Sequence, residues 1–165
     1  MAQVTFLGEG LNTEGVIPQV GKNAPEFSLT SSDLSEKGLS DFKGKNLVIN
    51  IFPSIDTPVC ALSVKEFNSR VAACSKTEVL CVSADLPFAV SRFCEIEALV
   101  NVSHLSTFRN PNFSKEYGVA IIDGALRGLN ARAIVCVNAA GVVVHSELVD
   151  EITNEPDYER ALNSF

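Results

Sequence analysis

The sequence predicts an α/β fold, a central mixed sheet flanked by helices, with a β-hairpin extension at the N-terminus. Three features lead there. Residues 47–52 and 79–82 are nearly continuous apolar runs, the pattern of strands buried on both faces. A helix start marked by proline follows each run, at Pro58 and at Pro87. Later, Asn138-Ala139-Ala140-Gly141 separates the apolar runs 133–137 and 142–145, the signature of an antiparallel hairpin.

Taken in chain order, Val4-Thr5-Phe6 followed by Gly8 and Gly10 reads as a strand and turn, so residues 1–16 are assigned to the hairpin extension. Pro18, Gly21 and Pro25 mark an irregular stretch before a strand at 27–30. Turn chemistry at 41–45 precedes the strand at 47–52, which stops at Pro53. The loop 54–58 leads into a helix, with Thr57 as N-cap and Pro58 at the first helical position. Val64, Phe67 and Val71 follow Cys60 at offsets of four, seven and eleven, so all four share one face. Cys60 therefore falls in the first turn, on the side toward the core, and Cys74 falls on the same face further along. After the strand at 79–82, Asp85 and Pro87 open a second helix, with residues 88–94 in it or just after it. A short strand at 102–105 and a short helix at 112–117 come next. Residues 154–157 open a last helix with Tyr158, Leu162 and Phe165 on or near one side. Strand, helix, strand, helix, hairpin and closing helix make the order of the thioredoxin-like fold with extra strands in front. The whole of 1–165 reads as one domain.

A chain of 165 residues buries roughly 70% of its unfolded surface and needs no disulfide staples. Its 46% hydrophobic and 20% charged content is that of a globular protein. A net charge of -7 argues against a nucleic-acid surface, which needs a basic stripe. Residues 1–6 carry neither a basic stretch nor an apolar core of signal-peptide length, and no run approaches the ~20 apolar residues of a membrane span. The expectation is a soluble, cytoplasmic protein with no nucleic-acid or membrane partner.

The cysteines at 60, 74, 81, 94 and 136 are odd in number and widely spaced, unlike a secreted disulfide framework. No C-x-x-C occurs, so neither a thioredoxin-type dithiol nor a zinc knuckle can be drawn. With His104 and His145 the only histidines, no metal site is expected, and no cofactor. Both histidines read as ordinary strand-end residues, and nothing supports a histidine general base.

The informative segment is Pro53-Ser54-Ile55-Asp56-Thr57-Pro58-Val59-Cys60, set between a buried strand and a helix start. Its pattern, P-x-x-x-T-x-x-C, resembles the active-site motif of the peroxiredoxins. The stretches 50–60, 83–89, 91–94, 105–110, 117–120 and 149–153 are similar to the bacterial thiol peroxidase branch of that family, in the same order and over nearly the whole chain. The resemblance implies a thiol-dependent peroxidase acting on hydrogen peroxide and organic hydroperoxides. The chemistry suits the segment. A free thiol with pKa near ~8.5 is only a few per cent thiolate at neutral pH, while a helix N-terminus offers unpaired N–H groups and partial positive charge. Thr57 can place its hydroxyl beside the sulfur, and Pro53 and Pro58 fix the loop without adding donors. Arg132, just ahead of the strand from Ala133, matches the family's active-site arginine, whose fork of donors suits developing negative charge.

By the same resemblance, Cys60 is the peroxidatic cysteine and Cys94 the resolving one. Their intramolecular disulfide would be reduced by thioredoxin, and the protein would be a homodimer with its sites near the interface. Because the two cysteines begin on separate helices, the helix ends are expected to unwind locally before the sulfurs can bond. Cys74, Cys81 and Cys136 are expected to be structural small hydrophobes, and Arg92 and Arg109 solvated or structural. Two rivals stand beside the peroxidase. One is a thioredoxin-like disulfide reductase, against which the missing C-x-x-C speaks. The other is a redox sensor or disulfide-exchange protein without peroxidase turnover.

Overall fold

The N-terminus forms the hairpin its turn residues indicate, β1 (Ala2–Phe6) and β2 (Glu9–Glu14), in the computed structural model, which describes residues 1–165. The larger sheet begins with β3 (Ser28–Ser31) and β4 (Glu36–Gly38), continues through a 3-10 turn at Leu39–Phe42, and enters β5 (Asn46–Ile51). Helix α1 (Pro58–Val71), β6 (Thr77–Ser83), α2 (Pro87–Ile96) and β7 (Val102–Ser106) follow. The remainder is α3 (Asn112–Glu116), β8 (Ala120–Ile121), β9 (Ala133–Val137), β10 (Val143–Leu148) and α4 (Tyr158–Leu162).

Seven strands make one mixed sheet in the order β10-β9-β5-β6-β7-β3-β4, and β8 adds to the N-terminal hairpin as a separate three-stranded sheet. Only the β5–β6 and β6–β7 pairs are parallel, as the βαβ crossovers through α1 and α2 require. The continuous apolar run in β5 is explained by its central place: Leu47, Ile49 and Ile51 enter one core, Val48 and Phe52 the other. The first core holds the aromatic group Phe27, Phe113 and Tyr117. The second is covered by α1 and α4, with Cys60, Val64, Phe67 and Val71 all inward, as the periodicity requires. The turn between β9 and β10 closes on Asn138, whose Oδ1 accepts from Ala140 and Val142, with Gly141 at φ +83.

Several sequence-based expectations are corrected. Helix α1 ends at Val71, so Cys74 lies beyond it in the following turn, half-buried, with its N–H donating to the Val71 carbonyl. His104 and His145 are not strand-end residues; each is buried within its strand. Strands β4 and β8 add to the expected elements; three and two residues long, they are too short to carry a periodic signal.

Candidate active site

Strand β5 delivers the chain to Pro53, buried at the sheet's end, and the loop 54–57 turns it into α1. Thr57 is the N-cap by backbone, with φ -99 and ψ 145, and the first intrahelical bond runs from Ala61 N to Thr57 O at 3.0 Å. Pro58 has no N–H, so Val59 and Cys60 supply the orphan donors of the first turn. The Thr57 hydroxyl does not cap them. It donates to the Ser54 carbonyl at 3.0 Å, so the expected side-chain cap is replaced by a bond within the loop. Cys60 itself is fully buried.

Arg132 precedes β9, which pairs antiparallel with β5, and Ile51 lies opposite Ala133. That register brings Arg132 to the start of α1. Its guanidinium is 1% exposed; Nη2 donates to Cys60 Sγ at 3.3 Å and Nε to the Ile152 carbonyl at 2.9 Å. Nη1 is buried without a protein partner. A burial this deep is unusual for arginine. Pro53, Thr57, Pro58, Val59, Arg132, Ile152 and Phe6 line one cavity of about 280 Å³ at the start of α1, and Cys60 lies behind that wall rather than on it. Its walls are mostly apolar, with the guanidinium at hand.

The Ile152 carbonyl is held by residues no local pattern indicated. Glu151 accepts from the Thr5 hydroxyl at 2.7 Å, from Leu7 N and Gly8 N, each at 3.1 Å, and from Thr153 N and Oγ1. These bonds, those from Thr153 first, pull the Glu151 carboxyl down to about 2. Thr5 and Ile152 also exchange a backbone bond, so the N-terminal hairpin is riveted to the loop behind Arg132. The signal available in the sequence was the stretch 149–153; the partners, more than 140 residues away, were not visible.

Cys94 lies elsewhere. It is half-buried on α2 and lines a second cavity of about 280 Å³ with Ser91, Glu95, Ser103 and His104. Burial raises its thiol above the ordinary range. Both Cys60 and Cys94 are free thiols on separate helices, the first fully buried and the second on a cavity wall. Cys81 and Cys136 sit inside strands, where burial pushes each up to about 12, so both are chemically quiet. Arg109 bonds the Leu34 carbonyl and Glu36, a surface contact, and Arg92 is exposed. His104 contacts Ser83, not a reacting group. No three metal-ligating side chains converge, and no helix is long and apolar enough to cross a membrane.

This geometry, a buried thiol under a guanidinium at a helix start, can be set against known proteins. The family model described as Redoxin matches residues 19–162. A thiol peroxidase from Vibrio cholerae is 52% identical over 98% of this chain and 99% of its own length. One from Mycobacterium bovis is 53% identical over 98% of this chain and 97% of its own. The crystal structure of a peroxiredoxin-like protein from Aquifex aeolicus superposes with a TM-score of 0.92 at 40% identity, covering 99% of this chain and 95% of the other. With agreement from end to end in sequence and fold, the chain belongs to the redoxin family, in the thiol peroxidase branch of the peroxiredoxins.

Proposed function

We propose that this thiol-dependent peroxidase uses Cys60 as its nucleophile and Cys94 as its resolving thiol. The observation that carries the reading is the 3.3 Å contact from Arg132 Nη2 to Cys60 Sγ, beside a cavity large enough for a hydroperoxide. A guanidinium at that distance and a helix N-terminus both present donors where a sulfur nucleophile and its leaving oxygen meet.

The Cys60 thiolate attacks one peroxide oxygen. The S–O bond forms as O–O breaks, and the electron pair leaves on the other oxygen, which takes a proton and departs as water or alcohol. The sulfur is oxidised by two electrons to a sulfenic acid. The unpartnered Nη1 of Arg132 has donors free for the oxygen on which charge develops. The Thr57 hydroxyl is on the cavity wall, and Pro53 closes the wall without offering a competing N–H. Cys94 then displaces hydroxide from Cys60; the S–S bond forms and the oxygen leaves as water. A dithiol reductant, thioredoxin in this reading, returns two electrons by thiol–disulfide exchange. Because the two thiols are carried on separate helices, the first turn of α1 and the end of α2 unwind between these steps. The chain works as one domain across 1–165, as a homodimer, in the cytoplasm.

The test is peroxide consumption with thioredoxin and its reductase. Wild type turns over many times per chain. Cys60→Ser abolishes activity in a folded protein, and Cys94→Ser consumes about one peroxide per chain and then stalls or overoxidises. Normal turnover by Cys94→Ser would remove it from the resolving role. Peptide mapping after one equivalent of peroxide identifies which thiols have paired.

A further inference from the structure

Between the Cys60 loop and the cavity of Cys94 runs a continuous polar chain centred on Asp85, a residue hydrogen-bonded to neither sulfur. Its Oδ1 accepts from the Ser54 hydroxyl at 2.8 Å, and its Oδ2 from Ile55 N at 2.8 Å and from the Ser83 hydroxyl at 2.7 Å. Ser54 is the hub of the Cys60 loop. Its carbonyl accepts from Thr57 N at 3.2 Å and Thr57 Oγ1 at 3.0 Å, and its hydroxyl from Asp56 N at 3.2 Å. One carboxylate therefore fixes the turn that sets the Thr57 hydroxyl and the start of α1.

On its other side Asp85 belongs to the segment that leads into α2, two residues before Pro87. Its own carbonyl is pinned by the Ser106 hydroxyl at 2.6 Å. Because an ionised carboxylate only accepts, Ser83 spends its single proton on Asp85. The 3.1 Å contact between Ser83 Oγ and His104 Nε2 then requires Nε2–H to donate, which leaves Nδ1 as a bare acceptor; that atom is buried with no partner. His104 in turn lines the cavity of Cys94. The network thus ties together the two segments, the Cys60 loop and the entry to α2, that have to part before the disulfide can form.

We propose, building on the peroxidase reading, that Asp85 is a positioning residue that holds the Cys60 loop shaped for peroxide attack and has to release it for Cys60–Cys94 closure. It acts through Ser54 and Thr57 in the first step and against the second. Its loss therefore moves the two rates in opposite directions, which a merely structural residue does not do.

The experiment separates the steps. Peroxide attack is measured by stopped flow with limiting hydrogen peroxide in the Cys94→Ser background. Closure is measured by quenched-flow mass spectrometry of the disulfide in the protein with both cysteines. In Asp85→Asn the amide nitrogen cannot accept, so it faces donors at either Ser54 or the Ile55–Ser83 pair. Attack is expected to slow about ten-fold, closure to quicken at least three-fold, and the fraction of Cys60 carried to sulfinic acid by excess peroxide to fall. Ser54→Ala keeps Ser83 and His104 in place and is expected to slow attack and quicken closure as Asp85→Asn does, by about three-fold each. Unchanged rates in both variants overturn the proposal. So does slowing of both steps together with a lowered melting temperature, which marks a structural residue only. If wild type itself consumes no peroxide, the peroxidase reading fails first and Asp85's role falls with it, a result distinct from a normal wild type with inert variants.

Discussion

Replacing Arg132 with methionine isolates what its charge contributes. Methionine is unbranched and apolar, replaces the arginine stem and removes every donor. At 3.3 Å and an effective dielectric of about 20, the attraction between guanidinium and thiolate is on the order of 5 kcal/mol. The sulfur keeps its helix-start donors, so not all of that is lost. Loss of one preorganised donor to developing charge typically costs 10²–10³ in rate, or about 3–4 kcal/mol, and Arg132→Met is expected in that range. The fold should change far less. The Ile152 carbonyl loses its partner, at a cost of about 1–3 kcal/mol, while the desolvation of a buried cation is relieved. Peroxide attack in single turnover, alkylation of Cys60 by iodoacetamide at neutral pH, and thermal unfolding measure the three quantities. Arg132→Lys, which keeps the charge but not the fork, should lie between, about ten-fold down. An Arg132→Met protein attacking peroxide within about five-fold of wild type would refute the electrostatic account.

Three other perturbations test different parts of the argument. Glu151→Gln replaces a carboxylate that accepts five bonds and should lower the peroxide rate several-fold by loosening Ile152 and hence Arg132. Since the folded carboxyl is pulled down to about 2, its stabilisation is complete above the unfolded value near 4.5 and is lost as pH falls from there toward 2. The variant's urea midpoint should therefore vary less with pH across that window. Burial pushes His104 down to about 4, with Asp85 partly opposing, so the unfolded chain binds the extra proton between there and 6.5. Its contribution is complete above 6.5 and is lost as pH falls through that window, by at most about 3 kcal/mol. Denaturant titrations at pH 7 and pH 4.5 should show His104→Gln losing less stability than wild type, and equal losses would remove His104 from the account. Gly118 sits at φ +70, where an added Cβ would lie 2.3 Å from Ile17 N. Gly118→Ala should destabilise by about 2 kcal/mol or more in thermal unfolding, since both the backbone and the space oppose it.

The legible parts of this protein are those whose information is local. Strand β5 and helix α1 follow from periodicity, and Pro53, Thr57 and Cys60 stand in one contiguous segment whose geometry a helix start dictates. Arg132 and Cys94 had to come from family resemblance, because no spacing rule links residues 72 positions apart such as Cys60 and Arg132. Asp85 and Glu151 were within the resembling stretches, yet their parts depend on partners in other elements. His104 was misread for a related reason. A polar residue within a strand looks like an edge, and only the Ser83 hydroxyl on the neighbouring strand makes its burial tolerable.

The same long-range bonds bear on how, in the proposed cycle, a wholly buried sulfur would serve peroxide and Cys94 in turn. In the proposed cycle peroxide, being small, would reach the sulfur by way of the cavity walled by Pro53, Thr57 and Arg132. Cys94 cannot, because it is carried on a different helix and faces a different cavity. A site held only by the hydrophobic face of α1 would have no reason to favour one geometry of the loop ahead of it. The loop is held instead by polar bonds at its two flanks, Asp85 through Ser54 on one side and Glu151 through Ile152 and Arg132 on the other. Such bonds contribute about 1 kcal/mol each, more when charged, and are directional. They are strong enough to define the attacking state and weak enough to break within one catalytic cycle. The core residues Val64 and Phe67, fully buried one and two turns further along, would keep the rest of α1 in place during the proposed opening of its first turn.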